Sequence, residues 1–366
     1  MKRICIVAGA RPNFVKVAPL IRAISKNQSA TCQLVYAGCE DDPTLEPSLF
    51  DDLQMPRPDA FLGVSSTSLN EITSHVMARF DAYLDRQPAD VVIVVDDLAS
   101  TMAAAIVSKK RGLQLAHLVA GTRSFDMHMP KEVNRLVIDA LSDYLFTAGI
   151  RSNSVATREQ AEGSGTYMVG NILMDTLRFN HQRLVKPVLT PVRPSEHWTD
   201  EDLLQPSGYL VLTLNRKALL ADEQKLKQLL IAMLDSAGST PIIAPLRASA
   251  SQAIASFMPP SPTLFITAPL SYLQFGWLTA HARGIITDSG NVAEEATFNG
   301  VPCITLNSYT EHQETITVGS NVLVGEDPQC LSEEMKKMVA GQWKKCALPD
   351  RWDGRTAERI VQILTT

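Results

Sequence analysis

The chain has 366 residues, of which 45% are hydrophobic and 20% are charged, and its formal net charge is -5. This length exceeds one ordinary hydrophobic core and favours two domains, and the composition is typical of a soluble globular protein. A mildly acidic chain has no basic field to attract nucleic acid, so we expect no nucleic-acid partner, although single loops can still bind small anions.

The N-terminal segment predicts neither export nor membrane insertion. Its apolar run stops at Arg11, without the length or the cleavage site of a signal peptide. No apolar stretch reaches the ~18–20 residues of a membrane span. We therefore expect a cytoplasmic protein without membrane association. The six cysteines are scattered and form no CxxC pair, so we expect neither disulfides nor a metal site.

Apolar runs alternate with amphipathic stretches from the start of the chain. RICIVAG, CQLVYAG, DVVIVV, LQLAHLV and DYLFTAG are typical of buried strands, and NFVKVAPLIRAISK and similar stretches between them are typical of helices. A second series begins near residue 208 with GYLVLTLN, TPIIAPL, TLFITAPL, RGIITDSG and VPCITLN. This alternation predicts an α/β protein with two Rossmann-like, doubly wound parallel sheets facing a central cleft.

The domain limits follow from these two series. We predict an N-terminal domain over 1–172 and a C-terminal domain over 173–351. The Pro-rich stretch 184–208 has few periodic apolar positions and is interpreted as the interdomain connection. The final amphipathic stretch, 352–366, predicts a helix that packs back on the N-terminal domain.

Ligands of doubly wound sheets bind beyond the carboxyl ends of the strands, so the βα loops are the candidate sites. In VAGARPNFVKVAP a strand is predicted to end at Gly9 and a helix to begin near Asn13. This would direct Arg11 and Lys16 into the cleft, where a helix N-terminus and two cations suit an anion. The alternative is a plain βα turn with solvated charges.

A second loop, IITDSGNVAEEATF, carries a turn followed by a helix that is predicted to open with Glu294 and Glu295. Ser289, Gly290 and the backbone amides that follow them suit a small anion. The two acids either complement the helix dipole, or one of them accepts both hydroxyls of a ribose.

Two further stretches allow more than one interpretation. Tyr272, Phe275 and Leu278 lie at helical spacing, which is ordinarily a core stripe, with a ligand platform as the alternative. Asp96 and Asp97 end a buried strand. If the strand persists, neighbouring side chains point to opposite faces, so at most one of the two carboxylates faces the cleft.

The stretch HLVAGTRSFDMHMPKEVNR leaves a buried strand, crosses a loop and opens a helix at Pro130. Such loops carry catalytic side chains in α/β enzymes. Here, however, the residue at the strand's end is the apolar Val119, and the helix opens with the cationic Lys131.

Taken together, the chain resembles the non-hydrolysing UDP-N-acetylglucosamine 2-epimerases. The likeness runs from ICIVAGARPNFVKVAPLIRAI to LPDRWDGRTAERIVQIL and includes AGTRSFDMHMPKEVNRLVIDALSDYLF, VGNILMDTL, TDSGNVAEEATFNGVPCITL and GSNVLVGEDP. It implies the GT-B fold and the interconversion of UDP-GlcNAc and UDP-ManNAc for bacterial polysaccharide synthesis. It also implies a homodimer and no metal or nicotinamide cofactor. The implied reaction removes the proton on sugar C2, expels UDP from C1, and re-adds UDP while a proton returns to the other face.

The resemblance carries over on the nucleotide side, which it places largely in the C-terminal domain. Phe275 would pack on uracil, Ser289 and Gly290 would form the phosphate turn, and Glu295 would hold the ribose. Asparagine can also donate a hydrogen bond to phosphate. The residues expected to bind UDP or a UDP-sugar are Arg11, Lys16, Arg135, Asn215, Phe275, Ser289, Gly290 and Glu295.

The resemblance fails on the sugar side, which it places in the N-terminal domain. Asp97 alone matches the principal acid–base groups, and the Gly that precedes it in the family is Asp96 here. Lys131 and Glu132 stand where the family has two acids. The other replacements are Val119 for an acid, Asn215 and Leu246 for histidines, Cys39 and Glu40 for a Gln-His pair, and His312 for an arginine.

Removing one positioned acid or base costs about 10² to 10⁴ in rate, so little C2 proton abstraction is expected. Three hypotheses stay open. The first is a redirected enzyme that transfers or hydrolyses the sugar, with Asp97, Lys131 and Glu132 as its active groups. The second is a non-catalytic nucleotide-binding protein that acts through a partner. The third is a 2-epimerase with replaced acid–base groups.

Overall fold

The computed structural model describes residues 1–28, 30–192 and 199–366. The chain divides into two compact units. The first unit is Met1–Phe179 with Asp350–Thr366, and the second unit is Asn180–Pro349. The chain therefore passes between the units at 179/180 and 349/350, where the sequence pattern placed the limits at 172/173 and 351/352.

The first unit is built on one sheet with helices between its strands. Its strands are β1 (Lys2–Ala8), β2 (Ala30–Tyr36), β3 (Ala60–Phe61), β4 (Val91–Val95), β5 (Gln114–Leu118), β6 (Tyr144–Thr147) and β7 (Gly165–Met168). Its helices are α1 (Arg11–Lys26), α2 (Pro47–Leu53), α3 (Leu69–Arg86), α4 (Ala99–Lys110), α5 (Pro130–Leu141), α6 (Ile150–Glu159) and α7 (Ile172–Asn180).

The second unit repeats this architecture. Its strands are β8 (Leu210–Thr213), β9 (Ile242–Pro245), β10 (Leu264–Thr267), β11 (Gly284–Thr287), β12 (Cys303–Thr305) and β13 (Asn321–Leu323). Its helices are α8 (Asp200–Leu203), α9 (Lys217–Ala221), α10 (Glu223–Ala237), α11 (Ala248–Phe257), α12 (Tyr272–Ala280), α13 (Gly290–Asn299), α14 (Glu314–Thr317) and α15 (Pro328–Val339).

Both sheets have the doubly wound strand order. The first is β3-β2-β1-β4-β5-β6-β7 and the second is β10-β9-β8-β11-β12-β13, and the strands within each sheet pair in parallel. Strand order reverses between β1 and β4 in one sheet and between β8 and β11 in the other. The crevices for ligands of such sheets lie at these switch points. The prediction of two doubly wound parallel sheets is confirmed.

Burial explains which strands could be predicted from the sequence. All five residues of β4, VVIVV, are buried, because helices cover both faces of a central parallel strand. The strands that the sequence pattern did not predict are β3, β7 and β13. Each stands at the edge of its sheet and is two to four residues long.

The interpretation of 184–208 as an interdomain connection is wrong for the part that the structure describes. Thr190 exchanges hydrogen bonds with Thr267, and Pro191 forms an antiparallel bridge with that residue at the edge of the second sheet. Leu189 is buried in the core of the second unit. Residues 193–198 lie outside the described residues. Proline suits this place because an edge strand can lack a backbone donor.

The C-terminal helix α16 (Thr356–Thr365) belongs to the first unit and packs against α1. Asp175 accepts the N–H groups of Thr356 and Ala357 at 3.0 and 2.8 Å, which satisfies two donors at the start of α16. Burial raises the pKa of Asp175 to about 6. In the part of the chain that is described, no helix is long and apolar enough to cross a membrane.

Candidate functional site

The switch point of the first unit lies where the β1–α1 loop approaches the end of β4. The loop is tight at Gly9, where an added Cβ would stand 2.2 Å from the Ser100 hydroxyl oxygen. Helix α1 begins at Arg11, two residues earlier than predicted, so Asn13 lies in its first turn. The Asn13 side chain accepts the Gly9 and Ala10 N–H groups at 2.8 and 3.2 Å and fixes the entry to the helix.

Lys16 does not extend from this loop as an open cation. Its side chain is buried, and its Nζ atom lies 2.6 Å from Oδ1 of Asp96. Asn13 donates its side-chain N–H to the other oxygen of that carboxylate at 2.8 Å. The chain therefore supplies Lys16 with a carboxylate of its own, which the sequence pattern did not predict.

Arg11 keeps the more open position. Its side chain is about a quarter exposed and contacts Glu46 with a 3.3 Å ion pair. It lines a pocket of about 630 Å³ in the first unit, together with Cys39, Ser66 and Ser100. Lys16 and Asp97 are not among the residues lining this pocket.

Asp97 is the centre of a buried charge cluster. Its Oδ2 atom accepts from Arg135 Nε and Nη2 at 2.8 and 2.6 Å, and Lys131 Nζ lies 3.3 Å from its Oδ1. Burial opposes ionisation of Asp97, but the charges of Lys131 and Arg135 outweigh it and hold the pKa below its usual value. A lowered pKa makes the paired Asp97 carboxylate a weaker base.

Glu132 holds the loop before α5 rather than facing open space. It is 1% exposed and accepts the Ser124 N–H, the Ser124 hydroxyl and the Phe125 N–H at 2.8 to 3.1 Å. Arg135 donates to the same carboxylate at 3.1 Å. Burial opposes ionisation of Glu132, but these donors lower its pKa. The Glu132 carboxylate therefore joins the loop before α5 to the helix.

Val119 occupies a strained position at the end of β5. Its φ is +75°, in the left-handed region that a β-branched residue rarely adopts. Its backbone N–H donates to the Phe146 carbonyl at 3.1 Å, which helps to hold that conformation. A valine side chain cannot exchange a proton, so this position carries strain without supplying an acid or a base.

A second buried network of hydrogen bonds and ion pairs surrounds His117 on β5, and it was not predicted from the sequence. His117 contacts Asp139 through Nδ1 at 2.5 Å and the Asp96 carbonyl oxygen through Nε2 at 2.9 Å. Asp139 also pairs with Arg123 at 2.7 Å. The only sequence signal was a histidine inside an apolar strand, which needs buried polar partners.

The switch point of the second unit is organised by Asp288. Its Oδ2 atom accepts the N–H groups of Asn215 and Arg216, both at 2.7 Å, which joins the loop after β8 to the loop after β11. Its Oδ1 atom is buried and has no hydrogen-bond partner among the described residues. Burial raises the pKa of Asp288, although the two backbone donors act against it. Asn215 presents its side chain to solvent.

Ser289 and Gly290 stand at the N-terminus of α13, as the motif predicted. Ser289 is the N-cap, and its N–H donates to the Thr287 hydroxyl at 3.0 Å. Gly290 is the first helical residue, and an added Cβ there would meet only the Glu311 carboxylate, at 3.8 Å. The N–H groups of the first turn have no partner within the helix, which suits a phosphate.

Glu294 and Glu295 lie in the second turn of α13 and not at its opening, because the helix begins at Gly290. Neither is placed to complement the helix dipole. Glu294 lies 3.8 Å from His312. No hydrogen bond or ion pair to the Glu295 carboxyl is found among the described residues, and burial and the neighbouring Glu294 raise its pKa to about 8. A buried carboxyl without a partner suits a pair of ligand hydroxyls.

Phe275 lies on α12 and is partly buried against the core of the second unit, which Leu278 enters fully. The helical spacing therefore correctly indicates packing against the core. The partly exposed Phe275 ring remains a candidate surface for a nucleobase. Among the described residues no group of three or more His, Cys, Asp or Glu side chains could hold a metal ion.

The structure thus groups the predicted residues by unit. In the first unit, Asp97, Lys131, Glu132 and Arg135 form one cluster. Arg11 and Lys16 lie on helix α1. In the second unit, the Asn215 N–H donates to the carboxylate of Asp288, the residue directly before Ser289 and Gly290. Glu295 lies further along the same helix.

Two doubly wound parallel sheets, one in each unit, define an α/β protein of the GT-B fold. The UDP-N-acetylglucosamine 2-epimerase family model matches residues 22–365. The chain belongs to that family.

The relatives span nearly the whole chain. The UDP-N-acetylglucosamine 2-epimerase of Methanocaldococcus jannaschii is 30% identical over 99% of both chains. A UDP-2,3-diacetamido-2,3-dideoxy-D-glucuronate 2-epimerase of Pseudomonas aeruginosa is 28% identical over 88% of both. The structure of the M. jannaschii enzyme in complex with UDP-GlcNAc and UDP has a TM-score of 0.84 at 29% identity, covering 99% of each chain. The Neisseria meningitidis enzyme, with a TM-score of 0.85 at 22% identity, covers 100% of this chain and 99% of its own and shares the fold.

Proposed function

We propose that this protein binds a UDP-sugar with the loops of its second unit and has lost the C2 proton chemistry of its family. The loss rests on one observation, which is that its candidate acid–base carboxylates are already occupied by the chain's own cations and N–H groups. The homodimer and the cytoplasmic location that the resemblance implies belong to the same proposal.

Three features of the second unit support nucleotide-sugar binding. The first turn of α13, which begins at Gly290, has N–H groups without a partner inside the helix, which suits a diphosphate. The Glu295 carboxyl is buried and unpaired and suits the two ribose hydroxyls. The partly exposed Phe275 ring offers a stacking surface for uracil. The M. jannaschii relative, whose structure contains UDP-GlcNAc and UDP, supports the same ligand class.

The pairing of the carboxylates in the first unit supports the proposed loss of epimerisation. A general base must be free to take the weakly acidic C2 proton, and its pKa must suit that transfer. Asp97 has a lowered pKa and contacts two cations, and Glu132 is held by four donors. Val119 cannot titrate. Each of these positions therefore lacks a group that could exchange a proton with sugar C2.

A second candidate function is transfer or hydrolysis of the sugar, which Lys131 favours. Its side chain is 53% exposed beside Asp97, and an ammonium can stabilise a departing pyrophosphate. This reaction would release UDP, so consumption of UDP-GlcNAc by water or by an added acceptor distinguishes it from binding alone.

Calorimetric titration with UDP-GlcNAc and UDP tests the binding. We expect saturable binding of both ligands, with a dissociation constant in the range of about 1 µM to 1 mM that is typical of such substrates. Gly290→Ala is expected to weaken both by about tenfold, because its methyl group stands where a phosphate approaches the helix. The variant should unfold like the wild type, since its Cβ meets only ordinary contacts. Absence of binding heat with both ligands would contradict the proposal.

A further inference from the structure

We propose that a pocket within the first unit binds a small phosphate compound, of which pyrophosphate is the simplest probe. The pocket has a volume of about 560 Å³ and is lined by the second half of α1, by α7 and by residues at the start of α16. This volume suits a small molecule, whose sites occupy ~300–1,000 Å³. None of the lining residues belongs to the predicted nucleotide or sugar sites, so the inference goes beyond the proposed function.

The lining of this pocket is cationic, although the chain as a whole has a formal net charge of -5. Its charged side chains are four bases and two acids, namely Arg22, Lys26, Arg178 and Arg355 with Asp175 and Glu358. A local excess of positive charge in a depression attracts anions even on an acidic protein.

The two acids do not neutralise the four bases. Both oxygens of Asp175 accept backbone N–H groups at the start of α16. Glu358 pairs with Arg355 at 3.0 Å, but these side chains are 65% and 61% exposed. Such a pair contributes little energy, so a phosphate can take the place of the carboxylate. In the part of the chain that is described, no carboxylate pairs with Lys26 or Arg178.

Arg178 is held in place by uncharged groups. Its Nη1 atom donates to the Asp353 carbonyl oxygen at 3.0 Å. Its side-chain stem packs against Gly354, where an added Cβ would stand 2.7 Å from Arg178 Cδ. Gly354 has a φ of +71°, so glycine both makes this turn and leaves room for the arginine. A guanidinium fixed in this way presents its remaining N–H groups to a phosphate with little loss of conformational entropy.

Arg22 and Lys26 add charge from one face of α1, because they are four residues apart. Arg22 donates to the Leu53 carbonyl oxygen at 2.6 Å, and its guanidinium lies 3.8 Å from the centroid of the Phe179 ring. Like charges at this spacing destabilise a helix, and a bound anion would offset that repulsion. The helix dipole favours cations in the last turns of α1 and α7, where Lys26 and Arg178 stand, but it does not account for their convergence on one pocket.

The directions of the bases favour a phosphate over a carboxylate. They approach the pocket from α1, from α7 and from the turn before α16. A phosphate group has three strong acceptor oxygens that point in different directions, so it can contact several of these bases at once. Pyrophosphate carries two such groups and is the probe for the experiment.

Calorimetric titration with pyrophosphate tests the proposal. We expect saturable binding to the wild type and binding at least about tenfold weaker to Lys26→Gln/Arg178→Gln, because charge-assisted hydrogen bonds to phosphate are lost. The matched control is Lys110→Gln/Arg158→Gln, which has the same net charge as the test variant. Its two positions are exposed on α4 and α6, outside the pocket, so it should bind like the wild type.

Lys26→Gln alone is the second variant if the double substitution does not fold. Lys26 is exposed at the end of α1, so its replacement removes a charge without disturbing the core. We expect this variant to unfold at the temperature of the wild type and to bind pyrophosphate about two- to fivefold more weakly.

The start of α13 is the other place where pyrophosphate could bind, and Gly290→Ala distinguishes the two. We expect this variant to keep the binding that depends on Lys26 and Arg178. Binding that is weakened only by Gly290→Ala would overturn the proposal, and so would equal weakening by the test and control variants, which would show attraction to net charge alone. Absence of pyrophosphate binding to the wild type would also overturn it, whatever the result with UDP.

Discussion

Arg135→Met is expected to lower the free energy of unfolding by about 3–5 kcal/mol, because it leaves two buried carboxylates without their shared cation. The Arg135 side chain is 1% exposed and contacts both Asp97 and Glu132. Methionine has a comparable volume, so the loss comes from the charge and the hydrogen bonds. Urea denaturation at pH 7 measures the change.

Lys131→Met is the matched control. It removes the other cation that contacts Asp97, but this side chain is 53% exposed and its ion pair is 3.3 Å long. Exposed pairs contribute about 0–1 kcal/mol, so the control should remain close to the wild type. Equal losses for the two variants would contradict the view that Arg135 is the buried cation on which this cluster depends.

Glu295→Gln is expected to have opposite effects on stability and on ligand binding. The pKa of this buried carboxyl is raised to about 8, first by burial and then by Glu294, from an ordinary value of 4.5. The folded protein therefore holds the proton more tightly than the unfolded chain. The resulting contribution to stability is full below pH 4.5 and is lost as the pH rises to about 8.

Glutamine has no proton to lose, so the variant should lose less stability than the wild type between pH 4.5 and pH 8. Urea denaturation at several pH values in this window measures the difference. Asp175, with its pKa near 6, affects both proteins equally and is subtracted by the comparison. A variant whose stability falls with pH as steeply as that of the wild type would contradict the burial of an ionisable Glu295.

At about pH 9, above the raised pKa of Glu295, the same substitution should weaken UDP binding about tenfold or more, because an ionised carboxylate accepts two ribose hydroxyls more strongly than a neutral amide does. Glu294→Gln is the control, since it alters the next residue and removes the like charge that disfavours ionisation of Glu295. We expect this control to bind UDP at least as well as the wild type. If Glu294→Gln lost affinity and Glu295→Gln did not, Glu294 and not Glu295 would be the acid that binds the ribose.

The fold was predictable at the central strands and at β10, and it was missed at the other three edge strands, β3, β7 and β13. The buried run of β4 is apolar throughout, because helices cover both of its faces. The edge strands β3 and β13 are only two and three residues long and lack such a pattern. The segment around Pro191 was misassigned because its role as an edge partner of Thr267 depends on a pairing 76 residues away.

The site was predictable in its residue types and not in its pairings. The spacing from Lys131 to Arg135 places these side chains on the first turns of α5, so their common neighbourhood follows from the helix. The contact of Lys16 with Asp96 joins residues 80 positions apart, and neither the charge of the loop nor its motif indicates it. The left-handed φ of Asp96 and Val119 could not be predicted from the sequence either. Such a conformation is usually indicated by a glycine, and neither position has one.

The occupied carboxylates of the first unit lead to one decisive measurement, a proton NMR time course of UDP-GlcNAc with the protein in D₂O. We expect the sugar C2–H signal to keep its intensity while the ligand lines broaden on binding. The M. jannaschii epimerase, run in parallel, is the positive control. Loss of the C2–H signal, or the appearance of UDP-ManNAc resonances, would contradict the loss of C2 proton chemistry and would return Asp97, Lys131 and Glu132 to the list of catalytic residues.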